Sequence, residues 1–205
     1  MIDRRNFLIL SGAAMVLPAA AKAEAETGAL DPQMVFHDPD APALGNPQGD
    51  VTLVEFFDYQ CPFCKKNHPV LEEVMAEDRG LRVVMKDWPV FGPVSLRAAR
   101  LVLGAQENGA YATALEALMA TKGRLSDAQV DKTLNAAGVS VPKAQAGYQS
   151  ARQKIDAVLA RNDRQASGLG LFGTPGFVAG RMIYPGALDK AALTEAIRVA
   201  RHPQG

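Results

Sequence analysis

Cys61 and Cys64 are the two cysteines of the chain, and with Pro62 and Phe63 between them they stand where a strand-like run gives way to a helix-like one. Val51-Thr52-Leu53-Val54-Glu55-Phe56-Phe57 is β-branched and aromatic and follows a Gly49-Asp50 turn, the pattern of a buried strand. Asp58-Tyr59-Gln60 makes a short connection. Pro62 suits the first position of a helix, and the segment from Lys65 to Arg79 carries Val70, Leu71, Val74 and Met75 on one face. A strand that runs through a short loop into a helix opening at Cys61 calls for an α/β architecture, with helices packed on a sheet.

Two cysteines exclude a scaffold of several disulfides and fall short of a four-thiolate metal centre. His68 is the one histidine nearby, since His37 and His202 lie towards the ends of the chain, so no metal or other cofactor is expected. The two thiols therefore serve each other. A bridge closing so short a loop constrains the unfolded chain little, which makes stability a poor reason for it and redox chemistry a better one. At a helix N-terminus, free amides and the helix dipole favour an anion, so Cys61 is the expected nucleophile. Cys64, one turn further in, is the expected resolving thiol.

Residues 1–23 have the form of an export signal. Arg4-Arg5-Asn6-Phe7-Leu8 leads into an apolar stretch that ends at Ala21-Lys22-Ala23, a small-residue cleavage site. The paired arginines suit the twin-arginine route, and the destination is an oxidising compartment, the periplasm. Lys+Arg and Asp+Glu both number 22 with no basic run, so a nucleic-acid partner is not expected. An apolar fraction of 48% in 205 residues suffices for one domain with an inserted subdomain. Residues 24–48, rich in proline, glycine and acid, form a lead-in that could add a short edge strand.

The run Phe56-Phe57-Asp58-Tyr59-Gln60-Cys61-Pro62-Phe63-Cys64, with Gly173-Thr174-Pro175-Gly176-Phe177 downstream, resembles the DsbA-like family of the thioredoxin superfamily, in particular its periplasmic ScsC-like branch. The resemblance implies a thioredoxin-like α/β fold with a helical insertion, whose only redox group is the Cys61–Cys64 disulfide. It implies a cis peptide at Pro175, packed against the cysteines, with Thr174 offering backbone hydrogen bonds to substrate. It places Pro62 and Phe63 towards the substrate. Glu55 matches the superfamily's buried acid beneath the disulfide, where it would shuttle the Cys64 proton, with Lys86 as its partner. From the residues alone, a solvent-facing strand edge is the alternative for Glu55 and Lys86.

The function implied is exchange of disulfides with exported, cysteine-containing proteins, chiefly as a dithiol oxidase reoxidised by a membrane quinone-linked partner. Thr174 before Pro175 resembles the isomerase side of the superfamily, so an isomerase or reductase is the alternative. A noncatalytic binding module of the same fold is a third reading. The lead-in is short and a poor helix, so a monomer is favoured over an arm-driven trimer.

The thioredoxin-like part is expected at 49–92 and 169–205, and residues 93–168 are helical by pattern. Four helices are expected there: one from Leu96, one around Tyr111 to Met119, one opened by a Ser126-Asp127-Ala128-Gln129 capping box, and a long one after Pro142. A hairpin over 177–184 and a helix from Asp189 that buries Leu193, Ala196 and Ile197 follow. Pro69 should kink the helix that begins at Cys61, with His68 facing solvent or capping a carbonyl there. Phe57, Tyr59 and Trp88 are expected to pack rather than react.

Overall fold

The computed structural model describes residues 30–202, so the export-signal reading of residues 1–23 lies outside the described residues. In chain order the elements are α1 (Pro32–Phe36), β1 (Ala43–Gly45), β2 (Val51–Phe57), α2 (Pro62–Glu77) and β3 (Leu81–Asp87). Then come α3 (Pro93–Gln106), α4 (Tyr111–Met119), α5 (Asp127–Ala136), α6 (Val141–Ser150) and α7 (Arg152–Gly168). β4 (Gly176–Ala179), β5 (Met182–Pro185) and α8 (Lys190–Arg201) end the described chain.

One mixed sheet runs β1-β3-β2-β4-β5. β2 and β3 pair in parallel, while β1 on β3, β4 on β2 and β5 on β4 are antiparallel. The lead-in thus contributes an edge strand. β2 is central and covered on both faces, which is why its apolar residues run almost without interruption. Strand alternation divides it: Leu53 and Phe57 join the cluster beneath α2, α8 and the inserted helices, and Val54 and Phe56 join the one with Val35, Trp88 and Ala166. Glu55 shares the parity of Leu53 and Phe57, so the sequence aims its carboxyl at the α2 side.

The insertion has five helices where four are expected. The long helix after Pro142 breaks at Ala151, whose φ of −107° and ψ of 19° leave the helical region. The break lets α6 lie on α3 while α7 turns back to the sheet. Gly104 of α3 and Gly147 of α6 are where those helices meet, and a Cβ on either would strike the backbone of the other. The capping box on α5 forms as expected, with Ser126 Oγ accepting from the Gln129 amide and Gln129 Oε1 from the Ser126 amide. α8 starts at an Asp189 cap and buries Leu193, Ala196 and Ile197. No helix among the described residues is long and apolar enough to cross a membrane.

Candidate active site

Cys61 is the N-cap of α2. Its backbone is extended, Pro62 occupies the first helical turn, and Sγ accepts from the Cys64 amide at 3.4 Å. Residues 58–60 hold it there. Asp58 is buried and accepts from the Gln60 amide (2.7 Å), the Ser95 hydroxyl (2.7 Å) and the Phe91 amide (3.0 Å), while its carbonyl accepts from the Cys61 amide. Gln60 donates to Ser95 Oγ and the Phe91 carbonyl and accepts from the Leu125 amide, tying the cysteine loop to the insertion.

The loop before β4 reaches the same place. The Thr174–Pro175 peptide is cis, Pro175 is buried, and the Thr174 carbonyl accepts from the Cys61 thiol at 3.1 Å. Pro62 and Phe63 lie on the surface beside it, and Phe63, Phe91 and the fully exposed Phe172 give this end of the molecule an apolar rim.

The two thiols differ in acidity. Cys61 is lowered to about 6, first by the hydrogen bond from the Cys64 thiol, against burial, and then by Thr174 and the amides of Cys64 and Phe63. Burial, the hydrogen bond to Cys61 and the charge of Glu55 push the Cys64 thiol far above its ordinary value. Glu55 lies beneath the pair, 1% exposed, and its Oε2 has no hydrogen-bond partner. Burial, and then the charge on Cys61, raise it to about 8. Such an arrangement offers one thiol that ionises at neutral pH, one that does not, and a carboxyl that is protonated near pH 7.

Lys86 is not the partner of Glu55. In the β2–β3 register Glu55 stands opposite Met85, and Lys86 opposite Phe56, so the lysine points to the other face of the sheet. There, fully buried, it donates to Asp38 at 3.1 Å and to the Met34 carbonyl at 3.0 Å. Arg161 completes this ion pair with two bonds to Asp38. Burial raises the Asp38 carboxyl, but Arg161 and Lys86 outweigh it and hold it below its usual range.

His68 also departs from expectation. It is buried, not solvent-facing, and neither ring nitrogen has a hydrogen-bond partner. Pro69 frees the Lys65 carbonyl inside α2, yet the His68 ring does not turn back to cap a carbonyl.

In the sequence, Asp58 and Gln60 stand only in a short connection, and Asp87 and Tyr111 carry no mark of a site role. Asp87 is buried at the end of β3 and accepts from Tyr59 at 2.8 Å and Tyr111 at 3.2 Å. Burial outweighs those two donors and raises it to about 7. The period-two parity that singles out Glu55 also puts Asp87 on the core face, in register with Phe57, and was the signal available. Nothing local marks the side chains of Gln60 or Tyr111, whose partners lie 24 to 65 residues away.

A family model for the DSBA-like thioredoxin domain matches residues 52–198. A thioredoxin-like oxidoreductase from Silicibacter pomeroyi DSS-3 superposes with a TM-score of 0.81 at 34% identity, over 85% of this chain and 99% of that one. The catalytic domain of Proteus mirabilis ScsC gives 0.74 at 27% identity, over 87% and 96%. Among curated proteins, Na(+)/H(+) antiporter NhaA 1 of Salinispora arenicola (strain CNS-205) is 30% identical over 120 residues, 56% of this chain. The chain spans only 18% of that antiporter's length. With the mixed sheet, the α2 crossover and the inserted helices, these likenesses identify a thioredoxin-like α/β fold of the DsbA type.

Proposed function

The chain belongs to the DSBA-like thioredoxin domain family, and on that premise we propose that it is a periplasmic dithiol oxidase that passes the Cys61–Cys64 disulfide to exported proteins. DsbA-like thiol–disulfide oxidoreductases use a redox-active disulfide and no further cofactor. Among the described residues, no cluster of three or more His, Cys, Asp or Glu suits a metal ion. The reading assigns 49–92 and 169–205 to the thioredoxin-like part, 93–168 to the insertion, 24–48 to the lead-in and 1–23 to the export signal.

The observation that supports the oxidase direction is the placement of Cys61 Sγ at the N-cap of α2, where it accepts from the Cys64 amide and its thiolate is favoured. With a thiol lowered to about 6, roughly ten thiolates stand for each thiol at pH 7. That stabilises the reduced protein but not the disulfide, and so favours giving the disulfide away, by at most about 30 mV in a two-electron couple before screening.

In the forward step a substrate thiolate attacks Sγ of Cys61. The Cys61–Cys64 bond breaks, its electron pair goes to Sγ of Cys64, and the Glu55 carboxyl supplies the proton that this poorly acidic thiol takes up. The Thr174 carbonyl, which accepts from Cys61 in the dithiol, is then free to accept a substrate backbone amide beside the mixed disulfide. A second substrate thiolate attacks the substrate sulfur, and Cys61 leaves as the thiolate its surroundings stabilise. A membrane quinone-linked partner restores the disulfide.

Equilibration with glutathione redox buffers tests the direction. The expected potential lies between the values of about −270 mV for thioredoxin and about −120 mV for the strongest oxidant of the superfamily. A value at or below the thioredoxin figure would make the protein a reductase. The second reading, an isomerase, draws on Thr174 before Pro175. A monomer in sedimentation that fails to rescue a scrambled multi-disulfide substrate eliminates it. Loss of dithiol oxidation in a folded Cys61→Ser variant eliminates a purely binding role.

A further inference from the structure

A groove of about 520 Å³ runs along α2, starting at Pro62 beside Cys61 and bounded on its far side by the end of α4 and residues 120–123. Pro62, Pro69 and Met119 are apolar parts of its lining. Pro62 apart, no role in the cysteine chemistry falls to its walls, yet three features mark it as a seat for a polypeptide.

His68 lines the groove, is 4% exposed, and leaves both ring nitrogens without a partner. Burial, opposed only in part by the charge of Glu116, lowers its basicity and keeps the ring neutral. Glu72 does not satisfy it, because Oε1 stands 3.6 Å from Nε2, too far for a hydrogen bond. A neutral imidazole presents one donor and one acceptor, which is the complement of a peptide unit.

The rim is charged in an ordered way. Lys65, Lys66 and Lys122 surround the end next to Cys61, where Lys65 Nζ donates to the Gly123 carbonyl at 2.8 Å and fixes the two walls together. Glu72 and Glu116 flank His68 at the other end. From Lys65 to Glu72 is seven residues of helix, about 10 Å, which an extended chain covers in about three residues. The groove also begins at Pro62, the residue next to Cys61 in the chain.

We propose that this groove is a track for an extended segment of the substrate polypeptide that carries an acidic side chain next to its cysteine and a basic one three to four residues beyond. The proposal rests on the thiol-exchange reading. His68, with a turn of its ring that brings a buried nitrogen to the groove, takes up the backbone of the segment, the lysines take the acidic side chain, and Glu72 and Glu116 take the basic one. The protein thereby selects among cysteines by the order of the charges beside them and not by net charge.

The test uses the oxidised full-length protein and reduced peptides of equal composition, Cys-Glu-Ala-Ala-Lys against Cys-Lys-Ala-Ala-Glu, with their reversed sequences to cover either chain direction. Each exchange rate is divided by the same peptide's rate with glutathione disulfide, which removes the effect of neighbouring charge on the peptide thiol. The acid-first peptide should react about fivefold to tenfold faster in one chain direction, the advantage shrinking in high salt. The double variant Lys66→Glu, Lys122→Glu should abolish or invert the order. His68→Leu should raise KM for the acid-first peptide with little change in kcat, a split that loss of packing alone would not produce. A normalised ratio within twofold in both directions, or an order unchanged in the double variant, overturns the proposal. If a small dithiol is oxidised but the peptides are not discriminated, the track alone fails. If nothing is oxidised, the exchange reading and the track fail together.

Discussion

Replacing Glu55 by glutamine should stabilise the protein in a way that depends on pH. Folding raises the Glu55 carboxyl from 4.5 to about 8, first by burial. Between those values the folded state keeps a proton that the unfolded chain has released, so stability falls as pH rises, by about 1.4 kcal/mol per unit. At pH 7 the accumulated cost is about 3 kcal/mol, the 2.5 units above the ordinary value multiplied by that slope. Glutamine has nearly the same shape and no proton to release, so Glu55→Gln removes the slope. Urea unfolding of the reduced proteins at pH 4.5, 5.5, 6.5 and 7.5 measures it. The difference between variant and wild type should start near its acid baseline and grow by about 1.4 kcal/mol per pH unit. Asp87 also titrates in this window, but it is present in both proteins and cancels in the difference to the extent that the two sites are independent. A difference that is flat across this range would refute the placement of a protonated carboxyl beneath the cysteines. Exchange should slow in the same variant, by about a hundredfold if Glu55 supplies the Cys64 proton, so that stability and activity move in opposite directions.

Alkylation of the reduced protein by iodoacetamide should follow a titration with a midpoint near 6 and modify Cys61 alone, because burial keeps Cys64 a thiol; a midpoint above 8, read by mass spectrometry, would contradict the stabilised thiolate. Asp38→Ala strands Lys86 and Arg161 without their carboxylate and should cost about 3–5 kcal/mol of stability. A loss below about 1 kcal/mol in urea unfolding would show that the pair does not hold the lead-in to the sheet.

The cysteine pair, the strand before it, the helix after it and the Thr174-Pro175 loop were all legible in the sequence, because each is a local pattern: a nearly unbroken β-branched and aromatic run in Val51–Phe57, a proline at the first turn of α2, glycines around the proline loop. The helical character of 93–168 was legible for the same reason. Its division was not, since the break at Ala151 has no proline or glycine at the joint and follows from α6 and α7 packing on different surfaces.

Lys86 shows where local pattern stops. One residue of parity separates it from Met85, and that residue decides whether a buried ammonium faces Glu55 or Asp38. The partner itself lies 48 residues upstream in a lead-in with little regular structure. Among the described residues Glu55 consequently stands without a cation, and burial raises its carboxyl to about 8. The chain by itself determined where the two thiols stand, at the start of a helix that follows a buried strand, because that placement is set by spacing along the chain. Tertiary structure decided how acidic the thiols and the Glu55 carboxyl are, because desolvation and the company of Thr174 arise only when distant segments close around them.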